Sequence, residues 1–72
     1  MRKLIVSNFP ENTTEDQLAG LFRDYAVESV VLQPGKYAVV TFAHDGEARR
    51  ALREWGGWKW DERWLRVKAA DW

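Results

Sequence analysis

The segment Gln33-Pro34-Gly35-Lys36-Tyr37-Ala38-Val39-Val40-Thr41-Phe42 decides the fold. Its first four residues read as a turn, because Pro presets φ near −65° and Gly accepts the positive φ that a tight turn demands at its third position. Tyr37 to Phe42 is β-branched or aromatic at every position except Ala38, which predicts a strand. A period of two sets Ala38, Val40 and Phe42 on one face and Tyr37 and Val39 on the other. Upstream, Val27 to Leu32 carries Val27, Val30, Val31 and Leu32 and reads as a second strand, so the turn closes a hairpin.

Further towards the N-terminus, Lys3 to Ser7 is short, rich in β-branched residues and ends at the breaker pair Phe9-Pro10. This first strand turns Leu4 and Val6 to one side and Lys3 and Ile5 to the other. Thr14-Glu15-Asp16-Gln17 has the capping-box pattern, in which the Thr hydroxyl and the Gln side chain satisfy amides that a helix start leaves without partners. Leu18, Leu21, Phe22 and Tyr25 follow at i, i+3, i+4 and i+7, one stripe of a helix running to about Tyr25.

Beyond the hairpin, His44-Asp45-Gly46 interrupts the pattern. Glu47 to Trp55 reads as a second helix with Ala48, Ala51, Leu52 and Trp55 on one side, ending at Gly56-Gly57. Arg49, Arg50 and Arg53 alternate with Glu47 and Glu54 as a solvated face. Trp64 to Ala69 supplies a fourth strand, Leu65 and Val67 alternating against Arg66 and Lys68. The order β-α-β-β-α-β, with right-handed crossovers, gives an α+β ferredoxin-like sandwich: a four-stranded antiparallel sheet, order 4-1-3-2, with both helices on one face. Many functions share it.

With 72 residues the chain reads as one domain over 1–72, able to bury only about 60% of its unfolded surface. A hydrophobic fraction of 46% with 31% charged residues is that of a globular chain rather than a disordered one. There is no cysteine, which removes disulfides and thiolate metal sites. No apolar run approaches a membrane span, and the expected location is intracellular, nucleus or cytoplasm, as a monomer. Eleven basic and eleven acidic residues cancel, so the global field does not steer polyanions. A single histidine, His44, has no second ligand or nucleophile spaced to pair with it. Acidic residues gather at helix starts, where the helix dipole accounts for them. The reading is therefore a non-enzyme, with no cofactor and no metal.

The ordered landmarks resemble the RNA-recognition-motif family. Leu4-Ile5-Val6-Ser7-Asn8-Phe9-Pro10 is similar to its shorter signature on strand one, and Gly35 to Phe42 to its longer one on strand three. Leu18, Leu21-Phe22, Ala48, Ala51, Gly57, Trp60, Arg63, Leu65 and Val67 fall at further landmarks. The resemblance implies single-stranded RNA on the open sheet face, bases stacking on aromatic rings and basic side chains holding phosphates. It carries the three stacking positions to Ile5, Tyr37 and Val39, of which only Tyr37 has a ring. Lys3, Lys36, Arg66 and Lys68 would form a local basic strip. Gly35 stands where the family prefers Lys or Arg, and Lys36 where it prefers Gly.

Five tryptophans crowd the last third of the chain: Trp55, Trp58, Trp60, Trp64 and Trp72. Trp55 and Trp60 read as core. Trp64 would turn to the open face beside strand one, standing in for the ring missing at Ile5, unless Trp58, Trp64 and Trp72 together cover that apolar face. Two further readings stand beside RNA binding. A protein-interaction version of the fold would use the loop Trp58-Lys59-Trp60, with Trp58 where relatives of that kind have Arg. A redesigned domain with no selected function would also show apolar positions on the open face, abundant tryptophan and balanced charge.

Overall fold

The computed structural model describes residues 1–55, 59–60 and 63–70, with the backbone alone described at Lys59, Trp60, Arg63 and Trp64. The elements are β1 (Lys3–Ser7), α1 (Glu15–Leu21), β2 (Val27–Gln33), β3 (Tyr37–Phe42), α2 (Asp45–Trp55), β4 (Lys59–Trp60), β5 (Arg63–Trp64) and β6 (Arg66–Ala69). Four of the strands form one antiparallel sheet in the order β2-β3-β1-β6, the expected 4-1-3-2 arrangement. Strict alternation decides which face is covered. Leu4, Val6, Ala38, Val40 and Phe42 are fully buried, and all but Ala38 share a core with Phe22, which follows α1, and with Ala48 and Ala51 from α2.

Rings fill the space between the layers. Phe22 meets Phe42 edge-on at 6.0 Å between centroids and Trp55 at 5.7 Å, while Tyr25 meets Phe42 edge-on at 6.2 Å. Such tilted contacts set the positive edge of one ring against the negative face of another. Trp55 is half-buried and packs against the core from the stripe of α2, at its margin rather than inside it as expected.

The capping box is present in full. Thr14 Oγ1 accepts from the amide of Gln17 at 3.2 Å, and Gln17 Oε1 accepts from the amide of Thr14 at 3.0 Å. The helix it starts is shorter than the apolar stripe suggests, ending at Leu21 rather than near Tyr25. The Phe22 amide bonds three residues back to Ala19, a tightened last turn, and the Tyr25 amide closes a further turn on Phe22. Tyr25 reaches the core through this turn. At the other helix the expectation is corrected in the opposite sense: Asp45 and Gly46 belong to α2, whose first bonds are accepted by the His44 carbonyl from Glu47 and Ala48.

The fourth strand is also corrected. It begins at Arg66, and Trp64 lies in a separate two-stranded ribbon, paired with Lys59 across from Trp60–Arg63. The cause is the length of β1. Ser7 pairs with Arg66 and is the last residue of β1, and Asn8 leaves with φ 66°, so residues before Arg66 find no partner there. Leu65, 3% exposed, pins the junction into the core. The expectations for Gly56-Gly57, Trp58 and Trp72, and for the side chains of Trp60 and Trp64, lie outside the described residues.

Candidate nucleic-acid interface

The face of the sheet away from the helices is organised in rows. The ladder registers place Val31, Val39, Ile5 and Lys68 side by side across β2, β3, β1 and β6, and Gln33, Tyr37, Ser7 and Arg66 in the next row. Directly opposed side chains in such a sheet have Cβ atoms about 5 Å apart. Tyr37 and Val39 are therefore neighbours along β3, with Ile5 beside Val39. All three are half-buried, whereas their sequence neighbours Leu4, Val6, Ala38 and Val40 are fully buried against the helices. Val31 at the β2 end of its row is 43% exposed.

Cations border these rows on one side. Arg66 and Lys68, both exposed, alternate along the edge strand β6 opposite Ser7 and Ile5. Lys3 opposes Thr41 in a third row, and sits diagonally from Lys68. Of the predicted residues, the structure thus brings Lys3, Ile5, Tyr37, Val39, Arg66 and Lys68 onto one face. Trp64 does not join them through the fourth strand, since its backbone pairs outside the main sheet.

Lys36 occupies the β2–β3 turn. Gly35 adopts φ 98°, a conformation open to glycine, and Lys36 itself adopts φ 64°. That region favours glycine, which explains why the signature resembled here has Gly at this position. The Lys36 ammonium lies 3.0 Å from a carboxylate oxygen of Glu11 in the segment between β1 and α1. A cavity of about 440 Å³ opens beside this pair, lined by Ser7, Asn8, Phe9, Glu11, Lys36 and Arg66.

The opposite, helical side carries a different chemistry. The Tyr25 hydroxyl donates to the Glu54 carboxylate, and the Arg50 guanidinium lies 4.4 Å over the Tyr25 ring. Arg50 also donates to Glu47 and, at 3.1 Å, to the Asp24 carbonyl. The Arg50 side chain, 39% exposed, stays on the solvent side where its spacing placed it while tying α2 to the turn after α1. Burial, then the bond to Glu54, push the Tyr25 hydroxyl up to about 12. Among the described residues no group of three or more His, Cys, Asp or Glu is placed to hold a metal ion, and no helix is long and apolar enough to cross a membrane.

The model of the RNA recognition motif matches residues 4–66. The chain belongs to the RNA recognition motif family. Among solved structures this RRM is similar to the Sex-lethal RNA recognition domains 1 and 2 from Drosophila melanogaster, with TM-score 0.91 and 24% identity over 99% of the chain. The chain spans half the length of that two-domain relative. It is similar also to the RNA binding protein PG1, with TM-score 0.84 and 27% identity over 97% of the chain and 94% of the relative. A third likeness is to the Rna15 RRM with bound RNA (GU), with TM-score 0.82 and 21% identity over 96% of the chain and 82% of that one. No curated protein sequence matches the chain.

Sequence reasoning missed several residues of the RRM face. Ser7, Gln33 and Thr41 share it with Tyr37, and the alternation of their strands was the signal that places them there. The pairing of Glu11 with Lys36 had no such signal, because 25 residues separate them and the contact exists only once the hairpin is folded.

Proposed function

We propose that this RRM binds single-stranded RNA on its open sheet face, with one base stacked on Tyr37. The observation that carries this reading is the row Gln33, Tyr37, Ser7, Arg66, in which an aromatic ring is flanked by polar side chains able to meet a base edge and by a cation able to meet a phosphate. Membership of the family and the RNA-bound relative support it. Lys68 and Lys3 extend the cationic border along β6 and β1, while Ile5 and Val39 contribute apolar contact without a ring. The domain, residues 1–72, would act as a monomeric intracellular binding module that performs no chemistry of its own.

Base–aromatic stacking is worth about 1–3 kcal/mol per base. A face with one ring therefore binds weakly and gains from rings added at the other two positions. Titration of a labelled pyrimidine-rich RNA at low salt should show binding that Tyr37→Ala weakens about tenfold or more and that Val39→Phe strengthens by a similar factor. No binding at high micromolar protein, or binding indifferent to both substitutions, contradicts the reading.

The apolar row Val31, Val39, Ile5 favours a second reading, a protein partner docked on the same face. In that case Val31→Asp abolishes association with the partner and leaves RNA titrations flat throughout.

A further inference from the structure

The open face changes character from one row to the next. In the row nearest the β2–β3 turn, Tyr37 is directly opposed by Gln33 on β2 and by Ser7 on β1. Opposed Cβ atoms lie about 5 Å apart, so an amide and a hydroxyl flank a base laid on the ring. In the next row Val39 is opposed by Val31 and Ile5, whose side chains have no donor or acceptor. A base over Val39 meets methyl groups on both sides. The two rows are two residues, about 7 Å, apart along β3, too far for bases stacked on each other at about 3.4 Å. Bases splayed one to a row fit this spacing.

Each row also ends in a cation. Arg66 opposes Ser7 and Lys68 opposes Ile5, both exposed on the edge strand β6. The other edge strand, β2, carries a single charge over Val27–Gln33, the carboxylate of Glu28. Phosphates therefore find cations on the β6 border and none along β2. A strand drawn out along β6 sets one phosphate at each cation and points each base inward along its row, towards β2.

We propose that this face reads one nucleotide and is blind to its neighbour: Gln33, with Ser7, selects the base on Tyr37, whereas the base over Val39 is held without selection. The inference deepens the RNA reading above and rests on it. The Gln33 amide offers a donor beside an acceptor, at a reach from the ring that the register fixes. It favours the base whose edge presents the complementary order at that reach, since any other edge leaves one of its groups without a partner. Such a contact corresponds to about a five- to tenfold difference between the best and the worst base. Aliphatic neighbours leave every base edge to solvent and so do not rank the bases.

The test is selection of bound species from a random pool of short RNAs at low salt, read by sequencing, with anisotropy titration of one selected RNA at two salt concentrations. In the wild type one position shows about a five- to tenfold preference and an adjacent position is flat. Gln33→Leu flattens the preferred position. Gln33→Glu, an acceptor only, moves the preference to guanine, whose pairing edge presents two adjacent N–H donors. Arg66→Gln and Lys68→Gln each lower the logarithmic salt slope by about 0.7, one phosphate's worth on a single strand, while Arg53→Gln, on the exposed surface of α2, leaves it unchanged. Binding with two adjacent positions preferred, with none preferred, or with a preference that survives both Gln33 variants overturns the proposal while leaving the RNA reading in place. So does a slope unchanged in either β6 variant. Failure of every protein to bind contradicts the RNA reading, and this proposal with it.

Discussion

Lys36 shows how one residue can be set against its own backbone. An L-residue in the left-handed region carries a cost of about 1–2 kcal/mol that glycine does not, and the exposed contact with Glu11 offsets only part of it. Lys36→Gly is expected to be more stable than Lys36→Ala by about 1 kcal/mol in urea unfolding, since both lose the ion pair and only Ala keeps the strain. Equal stabilities would show that the turn relaxes. Asn8, at φ 66°, is a milder case, because asparagine tolerates that region. Tyr25 gives a pH prediction at the same scale. Its folded-state pKa of about 12 lies above the ordinary value near 10, so the native state holds this proton more tightly. The stability it contributes is complete below pH 10 and is lost as pH rises towards 12. Tyr25→Phe should flatten that part of the stability–pH curve. Glu47 acts at the other end. Its carboxylate is held below the usual range by the Ala26 amide and then by Arg50, so its contribution is lost as pH falls through the acid range.

The secondary elements were legible to different depths. β1 and β3 were plain in the sequence because alternation is a local property: Leu4 and Val6, and Ala38, Val40 and Phe42, announce their face without knowledge of any partner. The start of α1 was plain for the same reason, and Thr14→Ala should cost about 1 kcal/mol by leaving the Gln17 amide without its acceptor. A loss below a few tenths would mean that solvent replaces the cap fully. The end of α1 was not legible. Its apolar stripe continues to Tyr25 through a non-helical turn, and a stripe records which residues reach the core but not the backbone path that takes them there. The true beginning of the fourth strand was hidden likewise, since it depends on where β1 runs out of partners at Ser7. Of the interface, the residues contributed by strands could be placed in advance, whereas Glu11 beside Lys36 and Arg50 over Tyr25 depend on tertiary packing.

For the whole molecule, charge and topology act on separate problems. Eleven cations and eleven anions give no net field, yet the sheet concentrates Lys3, Arg66 and Lys68 along one border. Association should therefore lack long-range steering while keeping a short-range salt dependence. Three phosphate contacts on a single strand predict a slope of about −2 for log K against log salt. A slope near zero would remove the cations from the interface. The aromatic packing of Phe22, Phe42, Tyr25 and Trp55 lies on the other side of the sheet, so the binding face can be altered without touching the core. The central claim is that RNA meets the open sheet and not the helices. Amide spectra recorded while adding a pyrimidine-rich oligonucleotide test it most directly. Shifts should concentrate at Ile5, Ser7, Tyr37, Val39, Arg66 and Lys68, with Tyr25, Arg50 and Trp55 unmoved; shifts centred on those three, or none at all, would contradict it.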